Sequence, residues 1–534
     1  ALAQAIENGV SFSHVLTSGN SADVDVADYM AYLAEEPNCR AIACVFEGLA
    51  DPMRLIDAAG IAHARGKPVI VFKIATGEQG AAAALSHTGS LAGSSKAYEA
   101  ACARAGIILV DDFETLIETT RFFAKSPKST APGVAIASTS GGAAIMATDK
   151  AELFGVELPQ PSDKTRAILV DAIPEYGSAR NPCDMTAQVL TDPECFRVCA
   201  DALLDDPAYG ALVIPFVYAY DPVIPRIRVL DELARKHRKA VCIVWETLWL
   251  EGPGAEIAER SEHVALFRSM RSCISALARW HWWSGHGKDP GVALTNLVEP
   301  EIVDEVSAEL ERASGSVLSE SQAKAVLAAY GVPMVEDRLV NSADDAVAAA
   351  RAAGFPVVLK VESPDIPHKT EAGVVRLGLA DEAAVVAAYE QVMANALNVT
   401  SSPSIRGVLV QPMLAAGIEV LVGARIDRQF GPTVVVGLGG ILVELMKDSA
   451  VGLAPLSKDE ALGLLHSLKG AALLQGFRGH PPIDLDRLAE IVCRVGQFAS
   501  DHRERLTELD LNPLICSGDR IVGVDALIGL RRQS

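Results

Sequence analysis

The sequence predicts an α/β protein made of two doubly wound parallel-sheet units followed by a third α/β unit of different organisation. Two observations predict it. Short apolar segments such as Ala41–Phe46 (AIACVF), Pro68–Lys73 (PVIVFK), Gly133–Ser138 and Ala240–Trp245 alternate with amphipathic ones such as Asp25–Glu35 and Met53–Arg65. That is the pattern of strands buried on both faces and joined by crossover helices. The chain also has 534 residues, 50% of them apolar, whereas one domain usually holds about 100–200 residues.

Taken in order, Ala1–Glu7 reads as a helix already under way with no capping residue before it, so an upstream segment is expected. Phe12–Thr17 is expected to be a strand, Asp25–Glu35 a helix, Ala41–Phe46 a strand, Met53–Arg65 a helix and Pro68–Lys73 a strand. Together these form a first unit over residues 1–128, and Ser126–Pro132 (SPKSTAP) reads as a linker. The second unit, 131–290, has strands at Gly133–Ser138, Ala211–Val217 and Ala240–Trp245, and Ser140-Gly141-Gly142 opens a helix. A polar, Gly-rich stretch around Ser284–Pro290 closes it. In the third unit, 300–534, Ser319 followed by Gln322 fits a capping box for a helix through Tyr330. Strands follow at Pro356–Val361, Gly407–Gln411, Glu419–Ile426 and Thr433–Gly437.

The net charge is −21, which disfavours nucleic acid as a partner. No apolar run reaches the ~18–20 residues that span a bilayer, and no basic, apolar-cored leader opens the chain; a soluble, cytoplasmic protein is expected. Ten cysteines are scattered without a CxxC. Cys195 and Cys199 fall within an expected helix and read as buried thiols.

Several residue groups suit phosphoryl chemistry. His87 lies in Ser86-His87-Thr88-Gly89, where backbone freedom and nearby donors suit a nucleophilic imidazole; on composition alone an ordinary polar loop stays open. Glu47 follows a buried strand, where α/β sheets bind ligands, and a carboxylate there orients an imidazole or is simply solvated. Ser140, Gly141 and Gly142 place free N–H groups at a helix start, where anions bind. Lys360 is expected at a strand's end, within reach of phosphates as a point charge. Gln411-Pro412-Met413 ends a later strand as a hinge whose backbone reads an adenine edge, and Glu419 lies eight residues on. Gly437-Leu438-Gly439-Gly440 is a Gly turn followed by Glu444, Lys447 and Asp448. In Glu508-Leu509-Asp510-Leu511-Asn512-Pro513-Leu514, Asp510 and Asn512 share one strand face. With Val524-Asp525-Ala526 as a neighbouring strand, two oxygen ligands, one from each strand, suit Mg²⁺ held mainly by phosphates and water; a plain acidic strand pair is the other reading. His368 stands in Asp365-Ile366-Pro367-His368-Lys369-Thr370.

The stretch Ser86–Leu116 (SHTGSLAGSSKAYEAACARAGIILVDDFETL) resembles the phosphohistidine loop of the NDP-forming (ADP-forming) acyl-CoA synthetases, relatives of succinyl-CoA synthetase. Asn181-Pro182-Cys183-Asp184 is similar to that family's Asn-Pro-Val-Asp signature, and Asp365–Thr370 to its Asp-Ile-x-His-Lys-Ser/Thr segment. The third unit resembles an ATP-grasp domain. The resemblance implies two flavodoxin-like or Rossmann-like domains followed by ATP-grasp. It implies a carboxylate–CoA ligase that uses ATP, coenzyme A and a carboxylic acid with Mg²⁺, and a possible homodimer. It makes His87 the phosphorylated residue, Glu47 its orienting carboxylate and Asp510 its partner at the nucleotide. Asn512 and Asp525 become metal ligands, and His368 a second phosphoryl-site histidine. Three departures stand out. The family's N-terminal CoA-binding Rossmann domain is absent, together with a Ser-Gly turn; Gly373-Val374 replaces Gly-Gly; and Gly452 stands where many members have Arg. The alternative is an acyl-CoA- or nucleotide-sensing module like the regulatory half of a protein lysine acetyltransferase. The retained His87, Asn512 and Asp525 favour the enzyme.

Overall fold

The computed structural model describes all residues except 1, 8, 20, 22, 78, 80–93, 191, 287–295, 314, 364, 367–368, 370–371, 400–403, 440–447, 477–480 and 532–534. Two compact units form: Ala1–Ala92 with Cys102–Gly291, and Gly93–Ala101 with Val292–Ser534.

The first unit holds two parallel sheets. Strands β1 (Ile42–Phe46), β2 (Val69–Lys73) and β3 (Ile108–Val110) form one, in that order. Strands β4 (Gly133–Ser138), β5 (Cys183–Asp184), β6 (Tyr209–Phe216), β7 (Ala240–Trp245) and β8 (Val264–Phe267) form the other, in the order β5-β4-β6-β7-β8. Every residue of β4, β6, β7 and β8 is buried, as parallel strands covered by helices on both faces require. One face packs on Leu169, Phe196, Leu203 and Leu230. The other packs on Ala147, Phe122, Cys273 and Trp280, in a cluster that also takes in Ile70 and Ile108 of the first sheet. The helix Phe113–Lys125 pins the two sheets together. Arg121 donates to the Leu266 carbonyl, and Lys125 Nζ donates to the carbonyls of Glu259 (2.8 Å) and Val264 (3.3 Å).

Asp25 caps the helix Val26–Glu35 through a reciprocal box with Asp28. The expected strand Phe12–Thr17 does not form: among the described residues the segment pairs with no strand, and Phe12, Val15 and Leu16 stay exposed.

The second unit joins two mainly antiparallel sheets. Strands β9 (Arg338–Val340), β10 (Val357–Glu362), β11 (Val375–Leu379) and β12 (Gly407–Pro412) pair in the order β11-β10-β12-β9. Strands β13 (Ile418–Asp427), β14 (Gly431–Leu438), β15 (Ser449–Leu453), β16 (Leu506–Ser517) and β17 (Arg520–Gly523) pair in the order β15-β14-β13-β16-β17, with β18 (Ala526–Leu530) also on β16. Ser319 and Gln322 form the expected capping box on the helix Glu320–Ala329. Lys360 lies within β10, which runs two residues past it. Asp525 lies between β17 and β18, not in a strand. Gly452 is buried in β15, where a side chain would meet Leu456 and Leu464.

No helix among the described residues is long and apolar enough to cross a membrane. All ten cysteines are free thiols, buried except for Cys44, which is half-buried.

His502 lies in the second unit's core, 5% exposed, with Nε2 2.8 Å from Tyr330 Oη. Burial pushes its imidazole down from 6.5 to about 4. Above pH 6.5 both folded and unfolded chains are neutral at this site. Between 6.5 and 4 only the unfolded chain takes the proton, so stability falls as pH falls. The expected loss from this group is about 2 kcal/mol between pH 7 and 5. Denaturant melts of the wild type and His502→Gln at both pH values check it, and parallel slopes for the two proteins would contradict it.

Candidate active site

A cleft of about 710 Å³ lies in the second unit, walled by β10, the end of β12, the starts of β13 and the helix Glu320–Ala329, and the middle of β16 with residues 524–527. It gathers Lys360, Gln411, Pro412, Met413, Glu419, Asp510, Asn512 and Asp525, the whole set read from the sequence for nucleotide and metal except His368. His368 lies outside the described residues, as do Glu444 and Lys447.

Strand alternation sets the metal wall. Leu509, Leu511, Leu514 and Cys516 of β16 point into the core, which leaves Asp510 and Asn512 on the other face. The Asp510 carboxyl is pushed up by burial and then by the charges of Asp525 and Glu508, with the Asn512 side chain opposing the rise. The backbone N–H of Asn512 donates to the Asp525 carbonyl at 3.3 Å. Among the described residues no group of three or more His, Cys, Asp or Glu converges into an all-protein metal cage. Carboxylate and amide oxygens on one wall fit a hard cation that keeps phosphate and water ligands.

On the facing wall, Lys360 Nζ reaches Glu320 Oε1 (3.1 Å), the Val524 carbonyl (3.3 Å) and Asp525 Oδ2 (3.3 Å). Lys369 pairs with Glu320 Oε2 and stands 4.0 Å from Asp525 Oδ1. Lys324 bridges Glu320 Oε1 (2.7 Å), Asp337 Oδ2 (2.8 Å) and Gln411 Oε1 (3.1 Å). Burial pushes the Glu320 carboxyl up, but Lys360, Lys324 and Lys369 outweigh it and bring it to about 2. Burial lowers Lys369, yet Asp525 and Glu320 leave it above the ordinary lysine range. The Met413 N–H is committed to the Pro356 carbonyl at 2.9 Å, so Met413 offers the cleft its exposed side chain. Gly439 lies so close to Glu419 that a Cβ would meet Glu419 Cβ at 2.6 Å, which explains this glycine of the turn after β14.

Sequence reading missed Glu320, Lys324 and Glu362. Glu320 and Lys324 sit four apart on a helix, a spacing that ordinarily marks an exposed pair. Glu362 is 1% exposed; its Oε1 accepts from Ser321 Oγ at 2.7 Å, while Oε2 meets no hydrogen-bond partner among the described residues.

In the first unit, Glu47 follows β1 at the C-terminal edge of its sheet. Lys73, at the end of β2, donates to the carbonyls of Glu47 (2.6 Å) and Ile74 (2.8 Å) and so ties the two strand ends together. Burial brings its ammonium down to about 8 against the opposing charges of Cys102 and Glu47. His87 and its Ser-Thr-Gly neighbours lie outside the described residues.

Ser140 caps the helix Gly141–Phe154, its Oγ accepting from the Ala143 N–H at 3.5 Å. A carboxylate already stands there: a Cβ on Gly141 would come within 3.0 Å of Asp184 Oδ2. Gly142 follows in the first turn.

Asn181 is a structural pin. It is 5% exposed; Oδ1 accepts from the Ile136 N–H (3.0 Å) and Nδ2 donates to the carbonyls of Val134 (2.8 Å) and Pro159 (2.9 Å). Asn181→Ala strands three buried backbone groups and is expected to destabilise the fold by about 3 kcal/mol; a chemical melt checks this, and a change under about 1 kcal/mol, the worth of a single ordinary hydrogen bond, would contradict it. Of the aromatics near the strand ends, Phe216 and Trp245 are core, whereas Tyr218 and Tyr220 stack at 4.4 Å and Trp249 is exposed. A larger hollow of the first unit, about 960 Å³, is lined by Glu114, Glu118, Glu251, Glu256 and Glu259 with Arg268. It contains no residue read from the sequence, and its charge is of the wrong sign for phosphate or carboxylate.

Residues 1–123 match the succinyl-CoA ligase-like flavodoxin domain, and residues 309–530 match the ATP-grasp domain. The chain is 32% identical over 540 residues to a 4-hydroxybutyrate–CoA ligase (ADP-forming) of Nitrosopumilus maritimus, covering 98% of this chain and 75% of that protein. The chain belongs to the ADP-forming acyl-CoA ligase family. Acetate–CoA ligase (ADP-forming) I of Archaeoglobus fulgidus is 32% identical, with 95% of this chain and 72% of that protein covered. A trans-feruloyl-CoA synthase from an unknown prokaryotic organism is 30% identical, with 98% and 73% covered. The named acids of these family members differ widely.

Proposed function

We propose that this chain catalyses the joining of a carboxylic acid to coenzyme A with conversion of ATP to ADP and phosphate. The observation that carries the reading is the single cleft that brings Lys360 and Lys369 opposite Asp510, Asn512 and Asp525, in a chain aligned with such ligases over nearly its whole length. In this reading Lys360 and Lys369 bind the nucleotide's phosphates, and the strand end Gln411–Met413 with Glu419 borders its base and sugar. Asn512 and Asp525 would hold Mg²⁺, which when bound neutralises charge on the phosphates. His87 takes the γ-phosphoryl group from ATP, releasing ADP, with Asp510 holding the imidazole. His368 is a second contact on the transferring group.

In the first unit, Glu47 orients phosphorylated His87, and the helix start at Ser140, Gly141 and Gly142 faces the phosphoryl oxygens. The carboxylate takes the phosphoryl group from His87 to give an acyl phosphate, and the CoA thiol then displaces phosphate to give acyl-CoA. The domain limits 1–128, 131–290 and 300–534 belong to this reading. Catalysis is mainly positioning and charge stabilisation.

Incubation with γ-labelled ATP and Mg²⁺ tests it. An acid-labile, base-stable label on the protein, discharged by a carboxylic acid together with CoA, is the expected result. A protein that takes no label even when joined to a CoA-binding domain would sink the reading.

A further inference from the structure

We infer that Glu320 is a positioning residue for the nucleotide cleft: its buried carboxylate fixes where the ammonium groups of Lys360 and Lys369 stand. The inference rests on the ATP reading of this cleft. The side chain of Glu320 is 1% exposed, and those of Lys324, Lys360 and Lys369 are 5%, 6% and 14% exposed. Glu320 Oε1 accepts from Lys324 and Lys360, and Oε2 accepts from Lys369.

The three lysines have different stations. Lys360 and Lys369 line the cleft. Lys324 stands behind them, tied to Asp337 and Gln411, and anchors the carboxylate from the rear. Glu320 itself is fixed in the first turn of a capped helix, where a negative charge is favoured. Lysine stems are flexible, and each carries about 2 kcal/mol of rotamer entropy. Without Glu320 the two ammonium groups would share only Asp525, whose side chain is 35% exposed, and would repel each other and scatter over more rotamers. With it, the ordering cost is met by the fold before any ligand arrives. Stability alone is a poor reason for this cluster, because a buried ion network is seldom better than apolar packing of the same volume.

Equilibrium binding of ATP to the full chain tests the inference, using Glu320→Gln, Lys369→Met and the double variant. E320Q is expected to weaken ATP binding about tenfold, the worth of one charge-assisted contact. In the K369M background its effect is expected to shrink at least threefold, since part of what Glu320 positions is then gone; threefold here is on the order of the coupling between residues in contact. Should E320Q fail to fold, Glu320→Asp replaces it. That variant keeps the charge but cannot span three ammonium groups, and an affinity between those of wild type and K369M is expected.

Wild-type affinity in E320Q or E320D, or an undiminished E320Q effect in the K369M background, overturns the inference alone. Failure of the wild-type chain to bind ATP overturns the ATP reading and the inference with it.

Discussion

His87→Asn is expected to abolish phosphorylation of the protein by ATP and to lower acyl-CoA formation by at least about 10⁴-fold, the scale of losing a covalent nucleophile. ATP binding should be unchanged within about twofold, because the residues assigned to the nucleotide, His368 apart, line the second unit's cleft and uniform binding is untouched. The split is the discriminating feature. A regulatory nucleotide sensor also binds ATP in the H87N form, but its wild type carries no label. Glu47→Gln makes a second comparison, since the carboxylate assigned to orient the imidazole would lose its charge while the Lys73 contact to the Glu47 carbonyl stays. An intermediate loss in E47Q beside a complete loss in H87N is the expected order. Equal labelling of wild type and H87N would move the phosphoryl acceptor elsewhere, with His368 the first to examine.

Much of the fold was legible because burial leaves a compositional trace. The strands Gly133–Ser138 and Ala240–Trp245 were read to the residue, since parallel strands covered on both faces are continuous apolar runs. Phe12–Thr17 is apolar only at Phe12, Val15 and Leu16 and forms no strand, because pairing depends on a neighbour that composition does not name. The cleft was legible wherever chemistry sat at a strand end, as with Gln411–Met413, or on an alternating strand, as with Asp510 and Asn512. Glu320 was not legible. A Glu four residues before a Lys at a helix start looks the same whether it faces water or, with that lysine, two more drawn from distant segments. For Asn181 the motif left two readings open, a loop near the site or a structural turn, and its side chain holds β4 in place.

Asp525→Asn is expected to separate nucleotide binding from phosphoryl transfer. Asp525 is one of the two residues proposed to hold Mg²⁺, and it lies 3.3 Å from Lys360 Nζ and 4.0 Å from Lys369 Nζ. The substitution removes one charge from the metal wall and keeps an oxygen of similar reach. Phosphorylation of the protein at saturating ATP should fall about 10³-fold, roughly 4 kcal/mol of transition-state stabilisation, the scale of misplacing a metal or a preorganised charge. Binding of ATP in the presence of EDTA should be unchanged or tighter, because both lysines lose a competing carboxylate and keep Glu320. Lys360→Met is expected to do the reverse, weakening binding first, since it removes an ammonium and leaves the oxygen donors in place. Single-turnover labelling beside equilibrium binding, for both variants, reads the two quantities apart. If D525N loses binding and transfer in equal proportion, Asp525 acts as part of the nucleotide pocket and not as a metal ligand, and the assignment of that wall to Mg²⁺ would have to be withdrawn.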